Sequence, residues 1–123
     1  GVRRAIRLSV AGGFHSECMR PAATRLEEAL ADVEISSPTL PVISNVTAEP
    51  ATDPAQIRAL LARQVCSPVR WEESVRWMIG EGMTSFLEPA PGKILGGLLK
   101  KIDRELTWTT ADEPAHDEEA QTS

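Results

Sequence analysis

Apolar and polar positions change period several times along the chain, and each change marks an element. Residues 4–10 alternate, with Ile6, Leu8 and Val10 facing one way and Arg7 and Ser9 the other, the pattern of a half-buried strand. Gly12 and Gly13 follow, and over residues 17–32 the apolar positions Met19, Ala22, Ala23, Leu26, Leu30 and Val33 recur at helical spacing. Pro21 falls in the first turn of that helix, where a missing amide donor matters least. Beyond Pro38 and Pro41, Val42-Ile43-Ser44-Asn45-Val46 alternates little, and predicts a buried strand of a parallel sheet.

Asp53-Pro54-Ala55-Gln56 is a helix start, with Asp at the cap and Pro at the first helical position. Ile57, Leu60, Leu61 and Val65 form the inward face of this helix, which ends before Pro68. Trp71, Val75, Met78 and Ile79 give the next helix one apolar face, stopped by Gly80 and Gly82. Thr84-Ser85-Phe86-Leu87-Glu88 is a second buried strand by the same criteria. A last helix carries Ile94, Leu95, Leu98, Leu99 and Ile102, and Thr107-Trp108-Thr109 forms a final short strand. Gly96-Gly97 inside that helix costs it ~1 kcal/mol per glycine, so the pair implies a close neighbour.

Strands alternating with helices predict an α/β fold with an at least partly parallel sheet. At 123 residues the chain holds one domain with a core. Its few strands, the first without a visible partner, are expected to be a piece of a larger α/β protein, with partners upstream of Gly1. A 41% hydrophobic and 25% charged composition is that of a globular chain, and no apolar run reaches bilayer length. With no leader and only Cys18 and Cys66, a cytoplasmic protein with free thiols is expected. The net charge of −5 comes from the last dozen residues: without those five acids, 13 acids face 13 bases. Residues 111–123 are expected to be a solvated, disordered acidic tail, and the neutral body offers no nucleic-acid footprint.

The chemistry centres on Gly12-Gly13-Phe14-His15-Ser16. A strand, a tight turn and a helix start place His15 at the edge of the folded layer, facing a cleft. The positive end of a helix favours the uncharged ring, which is the state a general base needs. From the residues alone His15 is either such a base or a structural hydrogen-bonder. A base acting for a nucleophile needs one within reach, and the sequence contains no Gly-x-Ser-x-Gly elbow. Ser16 is placed to cap the helix, and Cys18 reads as a small hydrophobe or a weak nucleophile. Two distant cysteines and His15 offer no metal-ligand spacing, and Pro91-Gly92-Lys93 lacks the rest of a phosphate loop.

Four stretches in register resemble the C-terminal portion of the malonyl-CoA:acyl carrier protein transacylase family. They are Gly13-Phe14-His15-Ser16 with Met19 and Pro21-Ala22, and Pro41-Val42-Ile43-Ser44-Asn45-Val46. The other two are Arg63-Gln64-Val65 with Ser67-Pro68-Val69-Arg70-Trp71, and Leu87-Glu88 through Pro91-Gly92-Lys93-Ile94-Leu95. Ala90 stands where the family often has glycine.

The resemblance implies an α/β-hydrolase-like acyltransferase subdomain, preceded by the last strand of a ferredoxin-like small subdomain. Residues 1–12 would end the small subdomain, and residues 13–110 would return to the large one. It implies a Ser–His ping-pong transfer of malonyl from malonyl-CoA to the phosphopantetheine thiol of acyl carrier protein in fatty acid biosynthesis, with no cofactor. His15 would be the base and the main-chain carbonyl of Gln64 its orienting partner, while Phe14 before the histidine resembles the malonyl-selective form. The serine, the malonyl-carboxylate arginine and the oxyanion-hole glutamine belong to the family's N-terminal portion, so this piece alone is expected to be inactive. The rival expectations are an acyltransferase fragment of a polyketide synthase, or a non-catalytic module docking carrier protein through Lys93, Lys100, Lys101 and Arg104.

Overall fold

A computed structural model of the chain describes residues 11–89 and 94–111. The alternating strand over residues 4–10, the Pro91-Gly92-Lys93 turn and the acidic tail beyond Ala111 lie outside the described residues. The fold is α/β: α1 (Arg20–Ala31), β1 (Val42–Ile43), β2 (Pro50–Ala51), α2 (Pro54–Gln64), α3 (Trp71–Gly80), β3 (Ser85–Glu88), α4 (Ile94–Ile102) and β4 (Thr107–Thr110), with a 3-10 turn at Glu17–Met19 leading into α1. Among the described residues, no helix is long and apolar enough to cross a membrane. The chain divides into two compact units at Ser74–Val75, within α3.

In the first unit α1 packs on α2. Ser16 caps the 3-10 turn, its hydroxyl accepting from the Cys18 amide at 3.3 Å. Asp53 caps α2, its carboxylate accepting from the Gln56 amide at 2.7 Å, with Pro54 in the first turn. The buried apolar residues of this unit are small apart from Leu60: Ala23, Ala48 and Ala51. The guanidinium of Arg58 reaches from α2 to the carbonyl of Val33 beyond α1, at 2.7 Å.

The stretch 42–46 departs from expectation. Only Val42 and Ile43 are strand; they pair antiparallel with Pro50 and Ala51, and Val42 is exposed. The cause is Ala48, which takes the left-handed backbone conformation at φ 59° and turns the chain back. Its amide bonds to Ser44 O at 2.8 Å, and Ser44 N bonds to Glu49 O at 3.0 Å. A reversal this early leaves no room for a parallel strand.

In the second unit β3 and β4 pair in parallel, Ser85 opposite Thr107 through Glu88 opposite Thr110. A helix joins them, as parallel pairing requires. Leu87 is exposed, so β3 is half-buried rather than buried. Gly96 lies against the indole of Trp108: a Cβ built there would stand 2.1 Å from the ring, whereas one at Gly97 meets nothing within 4 Å. Glu88 is buried, and its carboxylate accepts from the Leu95 and Gly96 amides at 3.4 and 3.3 Å, so β3 anchors the first turn of α4.

Candidate functional site

The site is built where the Gly13–Ser16 turn meets the end of α2, both within the first unit. Gly13 is a close approach: a Cβ there would sit 3.1 Å from both the Ser16 hydroxyl and Cys18 Cβ. The Ser16 hydroxyl donates to Gly13 O at 2.6 Å, and the turn is closed by these contacts. His15, between them, has φ 60°, a left-handed conformation uncommon for a residue with a side chain. Such conformations persist only where the surroundings over-determine them. Phe14 is 61% exposed and its ring lies over Gly12.

His15 and Gln64, 49 positions apart, come together here. His15 Nδ1 lies 3.0 Å from the main-chain oxygen of Gln64 and 3.3 Å from its side-chain Nε2. One nitrogen cannot donate to the carbonyl and accept from the amide at once. The carbonyl is the nearer, so the favoured arrangement has Nδ1–H donating to Gln64 O, with Nε2 as the ring's lone-pair nitrogen. His15 is exposed, and the ring contacts it makes with Gln64 are both at Nδ1.

The Gln64 carbonyl is itself held. α2 stops ahead of Pro68, whose ring disfavours helical backbone in the residue before it. In the tight turn that results, Ser67 N donates to Gln64 O at 3.2 Å and Gln64 Nε2 donates to Ser67 O at 3.1 Å. Ser67 thus clasps both ends of Gln64, a role with no signal in the sequence.

Arg70, part of one of the four resembling stretches, has a structural role that the sequence does not show. Its amide bonds to Asn45 O at 3.0 Å, and its Nη1 donates to Thr47 O at 2.7 Å. Its guanidinium also forks onto the Glu73 carboxylate. That hydrogen bond holds the Glu73 carboxyl below the usual carboxylate range and raises Arg70. Arg20 is raised likewise by its hydrogen bond with Glu17. The Arg-x-x-Glu spacing at the helix start is the sequence feature that allows this pair.

Beside Gln64 a hollow of about 220 Å3 opens between β1 and α2, bounded by Val42, Ile43, Asn45, Ile57 and Leu61 among others. A larger groove of about 360 Å3 runs between α1 and α2 past Arg20, Arg58 and Arg63. Cys18 and Cys66 are free thiols. Among the described residues, no three of His, Cys, Asp and Glu gather as a metal site would require.

No protein-family model matches the chain. Its similarity is to malonyl CoA-acyl carrier protein transacylases. It is 48% identical to that of Bacillus subtilis over 114 residues, which is 93% of this chain and 36% of the relative. It is 42% identical to that of Salmonella typhimurium over 94% of this chain and 37% of the relative. Among solved structures, an acyl carrier protein S-malonyltransferase from Vibrio cholerae superposes with a TM-score of 0.86 at 41% identity, over 94% of this chain and 38% of that one. A malonyl-transacylase in complex with a type II polyketide acyl carrier protein gives a TM-score of 0.85 at 36% identity, over 94% of this chain and 37% of that one. The chain therefore spans little more than a third of the length of the curated relatives it matches.

Proposed function

We propose that this chain is the base-bearing portion of an acyltransferase that moves malonyl from malonyl-CoA to the phosphopantetheine thiol of acyl carrier protein in fatty acid biosynthesis. Its nucleophilic serine would lie in the part of the relatives that this chain does not span. On the same reading, residues 13–110 belong to an α/β-hydrolase-like subdomain and residues 1–12 end a small ferredoxin-like one. The observation that carries the proposal is the 3.0 Å contact of His15 Nδ1 with Gln64 O on an exposed ring.

Each residue then has a task. His15 Nε2 takes the serine proton as the oxygen attacks the thioester carbonyl, and returns it to the coenzyme A sulfur as the carbon–sulfur bond breaks. In the second half-reaction Nε2 takes the carrier thiol's proton, the thiolate attacks the acyl-serine, and the proton goes back to the serine oxygen. The Gln64 carbonyl steadies the imidazolium formed in each half, the part an aspartate plays in a protease triad. Phe14, exposed beside His15, would on this reading line the acyl side of the cleft and select malonyl.

Without nucleophile, oxyanion hole or carboxylate clamp, the isolated chain should not transfer malonyl. Grafted into the Bacillus subtilis relative in place of the segment it matches, it should support transfer. His15→Ala in that chimera should then lower kcat by about 10²–10⁴-fold. Turnover that survives the substitution would overturn the mechanism. A module that only docks carrier protein through its last helix is less well supported. The ammonium of Lys100 donates to the Arg104 and Leu106 carbonyls, which leaves less of it to offer a partner.

A further inference from the structure

We propose that the side-chain amide of Gln64 is a positioning group that sets the tautomer of His15, pulling against that residue's own main-chain carbonyl. The catalytic meaning of this rests on the acyl-transfer reading, but the geometry does not. One residue presents His15 Nδ1 with two opposite demands, an acceptor at 3.0 Å and a donor at 3.3 Å.

The orientation of that donor is fixed by its other neighbour. Ser67 O accepts from Gln64 Nε2 at 3.1 Å; turning the amide over would set two oxygens against each other. An amide nitrogen carries two hydrogens. One is committed to Ser67 O, and the second faces the imidazole. With the proton on Nδ1, the ring bonds the carbonyl but meets the amide donor to donor. With the proton on Nε2, the amide bonds Nδ1 but the carbonyl faces a lone pair. Interconversion carries one proton between the two nitrogens through water and leaves the ring neutral.

The carbonyl is nearer, yet it is shared with the Ser67 amide at 3.2 Å, which weakens its hold. The Nδ1–H form is therefore the major one, and the amide maintains a minor Nε2–H form. Only the major form has a lone pair on Nε2, so the amide withholds a fraction of the sites from acting as base. The clasp on Ser67 keeps the second amide hydrogen turned toward the ring.

The test is the 15N ring spectrum of His15 in the full chain, recorded above the ring's titration. Wild type should show Nδ1–H with a measurable Nε2–H component. Gln64→Met keeps the length and removes the donor, and should lower the ratio of Nε2–H to Nδ1–H by about fivefold, the weight of one ordinary net hydrogen bond. Gln64→Leu, which also removes the donor and adds no acceptor, should move the ring the same way, and decides the matter if the methionine variant does not fold. A merely structural role predicts the reverse, since a loosened turn frees the ring from the carbonyl. Unchanged populations in the variants, a shift toward Nε2–H, or a wild-type ring with no Nε2–H form would each overturn the proposal. Because no acyl transfer is measured, it can fail while the proposed function stands, and the converse holds as well.

Discussion

Gly96 and Gly97 are neighbours in one helix with opposite tolerance for a methyl group. At Gly96 a Cβ would stand 2.1–2.5 Å from three atoms of the Trp108 indole, and at Gly97 it would meet open space. Gly96→Ala should therefore destabilise by about 1–3 kcal/mol, as overpacking does. Gly97→Ala should stabilise by about 0.4–1 kcal/mol, through the entropy glycine lends the unfolded chain. Urea unfolding of the two variants gives the comparison, and equal effects would mean that the Trp108 contact is not what glycine is for. The pair announces a close approach in the sequence, but not which of the two makes it. That depends on the rotation of α4 about its axis, which is set by the strand beside it. His15 is the same kind of case. The Gly-Gly turn and the helix start mark it out, while its tautomer depends on a turn 49 positions away. Only resemblance points to Gln64, because nothing in spacing joins residues so far apart. Ser67 acts through its backbone, which leaves no mark on the sequence.

At the scale of elements, the helices were the legible part. Asp53-Pro54 starts α2 and Ser16 caps the turn before α1, because capping is a local matter of one side chain and one amide. The stretch after Pro41 has the pattern of a parallel strand because Ser44-Asn45-Val46-Thr47-Ala48 contains no glycine or proline to announce the reversal the structure makes. What holds that reversal is Arg70, which joins Asn45 and Thr47 to the start of α3 and to Glu73. The hydrogen bond from Arg70 lowers the Glu73 carboxyl below its ordinary 4.5. A carboxyl lowered on folding contributes stability that is fully present above its unfolded value and is lost as pH falls through the lowered one. Wild type should therefore melt above Glu73→Gln by a constant margin from neutrality down to about pH 4.5, and the margin should close below that. Added salt should shrink the margin at neutral pH, since the pair is exposed. Thermal melts across pH check both, and a margin that persists in acid would mean that the charge on Glu73 is not the source.

For the molecule as a whole, the informative residues are apolar ones left in solvent. Leu87 on β3 is 65% exposed and Ile94 at the start of α4 is 76% exposed; in the first unit Leu40 is 75% exposed. Strand and helix residues of this size are ordinarily turned inward, and each described strand has only one neighbour in its sheet. The chain spans 36% of its Bacillus subtilis relative, and on the proposed function the remaining part carries the serine. The two observations fit if the part of the relatives that this chain does not span also supplies the cover. Leu87→Lys distinguishes this from a strand face that is simply wet. In the isolated chain the substitution changes an exposed side chain and should shift stability by no more than about 0.5 kcal/mol. In the chimera the same lysine would be buried without a partner. It should then cost about 2–3 kcal/mol, the burial lost with the leucine, together with desolvation of the charge. A lysine tolerated equally in both settings would leave Leu87 without a covering partner. The sheet would then have to be completed somewhere other than at β3.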